Sequence, residues 1–170
     1  MSPLDRIYQA ARARQAHIIL PEGRDPRVRE AAARIVAEGL ARITLLDGEA
    51  PGAASIDSAA APDLPELAAA WHELRRGKGL TAEAALDEMR DPIRQAAMRV
   101  RLGQADGTVG GAVATTADTV RAALQAIGRA PGVRIVSSFF LMLPPDGGTG
   151  GTSGEMAFAG ETSAGPTPVG

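Results

Sequence analysis

HIILPEGRDPRVREAAARIVAEGLARITLLDG, residues 17–48, is the stretch whose reading decides the fold. His17, Ile18, Ile19 and Leu20 form a short apolar run that stops at Pro21, the pattern of a strand buried in a parallel sheet. Residues 21–25 are the loop leaving it. Asp25 followed by Pro26 supplies a helix N-cap and a proline at the first helical position, and Val28, Ala31, Ala32, Ile35 and Val36 make a regular apolar stripe until Gly39 ends the helix. Ile43, Thr44, Leu45 and Leu46 form a second short strand, closed by the turn dipeptide Asp47-Gly48. Strand, helix, strand is a βαβ unit, and its two strands belong side by side and parallel.

Working outward, Leu4, Ile7, Tyr8 and Ala11 fall at helical spacing, so residues 3–14 read as an amphipathic helix. Residues 49–63 are rich in Ala, Pro, Ser and Gly and read as a long connection with a short strand near Ile56. Leu64, Leu67, Ala68, Trp71 and Leu74 build a helix ending at Arg75, Arg76 and Gly77. Thr81 caps a short helix through Met89, and Asp91-Pro92 opens another with Ile93, Ala96, Ala97 and Val100 on one side, terminated by Gly103. Residues 108–113 read as a strand broken by glycines and 117–127 as the helix after it. Pro131-Gly132 turns into residues 133–143, the longest apolar run and an expected central strand. This alternation predicts an α/β fold, a three-layer α/β/α sandwich with a mostly parallel sheet. The α/β domain is expected over residues 1–145. Residues 146–170 form a Gly/Pro-rich tail, with one more short strand at 155–159.

With 170 residues, 45% of them hydrophobic, the chain can bury one core. A net charge of -2 argues against a general nucleic-acid binder, because phosphate-backbone binding needs a basic surface. Lys78 is the only lysine, so local anion sites rest on arginine, whose fork can grip phosphate bidentately. The chain has no cysteine, which removes disulfides, thiolate metal sites and a cysteinyl acyl-enzyme; any thiol in the chemistry comes from the ligand. His17 and His72 are far apart, so no metal site is expected. The first residues lack the apolar core of a secretory signal and no run approaches a membrane span, so a cytoplasmic location is expected.

Chemistry gathers in GQADGTVGGAVATTADTVRAAL, residues 103–124. Backbone amides at Gly107, Gly110 and Gly111, the hydroxyls of Thr115 and Thr116, and a helix N-terminus with Arg121 close to its start could together seat a phosphate. The same residues also fit a buried strand whose glycines allow close packing, followed by a threonine-capped helix. Spacing alone leaves both readings open. Arg24 and Arg27, after the first strand, add cations near the loops. The carboxylates Glu22, Asp25, Asp106 and Asp118 show no acid/base pair spacing, and Asp25 and Asp118 suit helix caps. Neither a Rossmann fingerprint, a P-loop nor a Gly-x-Ser-x-Gly elbow occurs.

Four pieces stand in order along the chain: LPEGRDPRVREAAARIVAEGLARITLLDG at 20–48, HELRRGKGLTAEAALDEMRDP at 72–92, LGQADGTVGGAVATTADTVRAALQAIG at 102–128 and PGVRIVSSFFLML at 131–143. Through them the chain resembles the N-terminal half of the phosphate acetyltransferase (phosphotransacetylase) family, the acetyl/butyryl phosphate transferases. The resemblance implies acetyl transfer between acetyl phosphate and coenzyme A, with the thiolate attacking the acyl phosphate directly. It implies no cofactor beyond coenzyme A as substrate, and a site in a cleft between two α/β domains. Arg75, in HELRRGKG, and Arg121, in TADTVR, match arginines associated with coenzyme A or phosphate, while Thr115 and Thr116 stand where the family has a Ser/Thr pair facing the cleft.

The resemblance puts no catalytic residue in this chain, since the family's serine-arginine pair and aspartate belong to its second half. The expectation is therefore a truncated form with little or no transferase activity; the alternative is a catalytically silent phosphate- or coenzyme A-binding or interaction domain. Its expected partners are acetyl phosphate and coenzyme A, with no nucleic acid and no membrane, and with homo-oligomer formation or association through the uncovered cleft face. Ala114 stands where the family often has histidine, Ala122 where it has proline, and Arg94 and Gln95 where aromatic residues are usual.

Overall fold

The βαβ unit forms where its apolar residues place it. In the computed structural model, which describes residues 3–137, β1 (His17–Leu20) and β2 (Arg42–Leu46) run parallel with Ile18 opposite Ile43 and Leu20 opposite Leu45. Those four side chains share one face and pack with Val28, Ala32, Ile35 and Val36 of α2 (Pro26–Ala37). Ile19 and Leu46 point to the other face and meet Ala96 of α5 (Pro92–Arg101). Alternation along two short strands thus fills both faces, and each fully buried leucine or isoleucine contributes about 1.5–3 kcal/mol. The short strand expected near Ile56 is present as β3 (Ala54–Ile56), parallel to β2, and β4 (Gly107–Thr108) pairs with β1, so the sheet order is β3-β2-β1-β4.

Behind α5 lies a second core, where Leu67 and Trp71 of α3 (Leu64–Arg75) pack with Ala85 of α4 (Ala82–Glu88), Met89 and Met98. A 3-10 turn (Arg76–Lys78) separates α3 from α4. The last helix, α6 (Thr116–Ala126), buries Ala122 and Ala126, and Arg101 at the end of α5 donates to the Ala126 carbonyl at 2.9 Å. The first helix, α1 (Pro3–Arg14), buries no residue and is tied on by Arg12 Nε to the Glu38 carbonyl and Gln15 Nε2 to the Gly39 carbonyl, 3.1 and 2.6 Å. Helices on both faces of an all-parallel sheet make the α/β/α sandwich expected from the sequence.

One face of α5 carries polar residues inward. Gln95 is fully buried and its Nε2 donates to the carbonyls of Ser58 and Met89, both 2.9 Å. One turn on, Arg99 grips Asp63 with two parallel bonds of 2.7 and 2.8 Å and donates to Gln104 Oε1 at 2.8 Å. Gln95, set where the family resemblance led to an aromatic residue, therefore acts as a polar anchor between α5 and the segment after β3.

Two expectations change. β4 is two residues long instead of spanning 108–113, and Val109 and Val113 are exposed: the Val109 N–H still donates to the Ile19 carbonyl of β1 at 3.1 Å, but from Gly111 on the backbone turns its amides to a carboxylate. Of the apolar run at 133–143, residues 133–137 form no strand; the rest lies outside the described residues, as do the segment 155–159 and the tail at 146–170.

Candidate functional site

Parallel strands deliver their following loops to one edge of the sheet, the usual place for ligands in open α/β folds. Residues 21–25, 47–48 and 109–114 leave β1, β2 and β4 on that edge. Here the loop after β1 presses closely against the end of β2. The Gly23 N–H donates to the Leu46 carbonyl at 3.0 Å, and a Cβ on Gly23 would lie 2.4 Å from that oxygen. Glycine is required for the approach, which brings the residue before it, Glu22, over the neighbouring loop.

The Glu22 carboxylate is the centre of the edge. Oε2 accepts from the backbone N–H groups of Gly111 and Ala112, both 2.8 Å, and Oε1 from those of Val113 and Ala114, 2.8 and 2.6 Å. Burial pushes the carboxyl pKa up, but the four amides outweigh it and hold the group below its ordinary 4.5. Of the amides expected at Gly107, Gly110 and Gly111 to bind an anion, that of Gly111 does so together with those of Ala112, Val113 and Ala114, and the anion is an internal one, while Gly107 lies in β4. The loop's carbonyl side is held by Arg27, whose NH2 donates to the Ala112 carbonyl at 2.9 Å and to Asp25 Oδ2 at 2.7 Å. Asp25 caps α2 as expected, accepting from the Arg27 N–H at 2.8 Å, and its hydrogen bonds from Arg27 lower it to about 2.

The loop runs directly into α6. Thr115 is the N-cap, its hydroxyl accepting from the Asp118 N–H at 3.1 Å and donating to Asp118 Oδ2 at 2.7 Å. Asp118 is thus the third residue of the helix and the partner of the cap instead of the cap itself. Arg121 NH1 lies 2.7 Å from Asp118 Oδ1, and both side chains are more than half exposed. Thr116 opens the helix on the surface. Three of the four expected binding residues, Thr115, Thr116 and Arg121, consequently share the first two turns of one helix, where the peptide dipoles favour an anion.

Arg75 stands apart at the end of α3, with its guanidinium 5.3 Å from the Trp71 ring centre. Among the described residues no hydrogen bond or ion pair joins it to the other three. A groove of about 320 Å³ lies between α2 and the loop, lined by Leu20, Glu22, Arg27, Val28, Val109 and Gly110 among others. Neither it nor a groove of about 400 Å³ beside α1 includes Arg75, Thr115, Thr116 or Arg121.

Other polar residues have structural partners. Arg24 pairs with Asp47 at 3.3 Å, and Asp106 accepts from the His17 N–H at 2.7 Å while the His17 ring bonds Thr44 Oγ1 at 2.8 Å. Among the described residues no group of three or more His, Asp or Glu is placed to hold a metal ion, and no helix is long and apolar enough to cross a membrane. Sequence reasoning placed Glu22 near a loop but missed its role. An acid two residues after a strand, facing a glycine loop, was the available signal, but it becomes legible only once β1 and β4 are known to be neighbours.

The family model described as phosphate acetyl/butaryl transferase matches residues 2–164. The phosphate acetyltransferase of Paracoccus denitrificans is 74% identical over 144 residues, covering 84% of this chain and 45% of that protein. That of Acetivibrio thermocellus is 40% identical over 157 residues, covering 86% and 47%. Among solved structures, the EutD phosphotransacetylase from Staphylococcus aureus superposes with a TM-score of 0.74 at 31% identity, covering 84% of this chain and 47% of that one. A phosphotransacetylase from Streptococcus pyogenes gives 0.73 at 33% identity, covering 79% and 46%. The chain spans about half the length of the relatives it matches.

Proposed function

Because the chain belongs to the phosphate acetyl/butaryl transferase family, we propose that it forms one wall of a site for acetyl transfer between acetyl phosphate and coenzyme A. In that reaction the coenzyme A thiolate attacks the carbonyl carbon of acetyl phosphate and inorganic phosphate leaves, so negative charge must be held on both substrates. The start of α6 supports the reading: Thr115 and Thr116 place hydroxyls, and Arg121 a guanidinium, at a helix N-terminus on the sheet's carboxyl edge. Arg75, steadied on Trp71, would supply a second cation to a ligand long enough to reach α3. Oriented cations lower a transition state only when a nucleophile is also positioned and water excluded.

Coenzyme A binding to the 170-residue chain, measured by titration calorimetry, tests this directly. Arg121→Gln should weaken it about tenfold, the worth of one charge-assisted hydrogen bond. The thermal midpoint should barely move, because an exposed, solvent-screened i,i+3 pair adds little to stability. Unchanged affinity removes Arg121 from the site.

A second reading is a binding domain without turnover, since Thr115, Thr116 and Arg121 are groups suited to holding an anion, and holding alone does not transfer an acetyl group. Thioester formation from acetyl phosphate and coenzyme A separates the two: the silent-domain reading expects binding without product, and turnover abolished by Arg121→Ala would sink it.

A further inference from the structure

The loop at 109–114 is shaped by polar contacts more than by packing, since Val109 is 63% and Val113 70% exposed. Four consecutive amides converge on one carboxylate from the adjacent strand's loop, and Arg27 holds a carbonyl of the same loop from the other side. Left empty, such a nest would itself attract phosphate. Filled, it leaves an incoming anion to the side chains that follow.

We infer that Glu22 is a positioning residue: by occupying the amide nest of residues 111–114 it fixes the entry to α6, so that Thr115, Thr116 and Arg121 face an anionic substrate. The inference rests on the acetyl-transfer reading for the identity of that substrate. Glutamate suits the task because it offers two acceptor oxygens and no donor, matching four N–H groups two by two. Glutamine keeps the shape but sets an NH2 group against two donors. The negative charge left by Glu22 is balanced locally by the amides and by Arg27, so it does not repel a phosphate as a free carboxylate would.

Two measurements on the full chain test this: hydrogen exchange at the amides of 111–114, and coenzyme A titration. In Glu22→Gln, protection at those amides should fall at least about tenfold while α5 stays within about twofold, and coenzyme A should bind at least about tenfold more weakly. The wild type supplies a check independent of any variant's folding. Acidification below the ordinary carboxylate range should release the 111–114 amides before those of α5, as Glu22 takes up a proton. Protection and affinity both unchanged in Glu22→Gln, or no early release in acid, overturns the role of Glu22. A wild-type chain that binds no coenzyme A overturns the acetyl-transfer reading instead, and leaves the exchange result to decide whether Glu22 holds the loop.

Discussion

Glu22 and Asp63 are both carboxylates held below their ordinary pKa, yet the two regions around them are built in opposite ways. Glu22 is gripped by four backbone amides of an exposed loop that carries little packing of its own. Asp63 is gripped by the guanidinium of Arg99, which is 6% exposed on α5 and is bonded in turn to Gln95 and Gln104. Removing the first partner frees a loop. Removing the second strands a charge between α3 and α5, behind which the Trp71 core is packed. Polar contacts therefore do two jobs here: at the sheet's carboxyl edge they set the shape of a surface, and beneath it they lock helices together.

The sharpest way to break this contrast is Arg99→Ala. Breaking a buried ion pair costs about 3–5 kcal/mol, and the low end applies because Asp63 keeps partial access to water. Urea denaturation should show a loss of about 3 kcal/mol, with exchange protection falling together in α3 and α5. A loss under about 1 kcal/mol, or one confined to α5, would mean that the network is as local as the Glu22 loop.

The contrast also explains what could be read from the sequence. The βαβ unit was legible because its caps, proline and alternating apolar residues act over a few positions, and Asp25 caps α2 where its spacing predicted. Thr115 likewise reveals itself locally as an N-cap. The partners of Glu22 lie 89–92 positions away, and Asp63 is 36 from Arg99. No periodicity reports such a pairing. On α5 the stripe of Ile93, Ala96, Ala97 and Val100 was correct in part, but Ile93 and Val100 are only half-buried while Gln95, Met98 and Arg99 go inside. A hydrophobic pattern assigns Gln95 and Arg99 to solvent, although their i,i+4 spacing already put them on one face. At the candidate site, Arg121 and the two threonines could be placed on one helix from sequence. The occupation of the glycine-loop amides by an internal carboxylate could not, because it depends on strand order.

Acid should act on both regions and can rank them. Glu22, Asp25, Asp63 and Asp118 all have folded pKa values below the unfolded ones. Each then contributes stability that is complete above its unfolded pKa and disappears as pH falls through the folded one. The urea midpoint should decline from about pH 4.5 toward pH 2. Asp25, at about 2 against an ordinary 3.8, holds on longest among the exposed-edge groups. Asp25→Asn should lower the midpoint at neutral pH and flatten the acid slope. An unaltered slope would show that Asp25 does not report on folding and would leave the acid response to Glu22, Asp63 and Asp118.

The smallest expected effect discriminates most finely between holding and binding. Thr115→Ala removes an N-cap, a loss of about 1 kcal/mol, and also takes a hydrogen bond from Asp118, which is then free to pair more fully with Arg121. Thr115→Ser keeps the hydroxyl and should restore the cap. If Thr115 only starts the helix, coenzyme A affinity should track stability across the alanine and serine variants. A hydroxyl that also touches the ligand should make the alanine variant lose more affinity than its stability change explains, measured against Thr116→Ala, whose side chain makes no cap. Equal affinities for both alanine variants and wild type would leave Arg121 as the only contact at the start of α6, and the edge would then be a scaffold that presents one arginine.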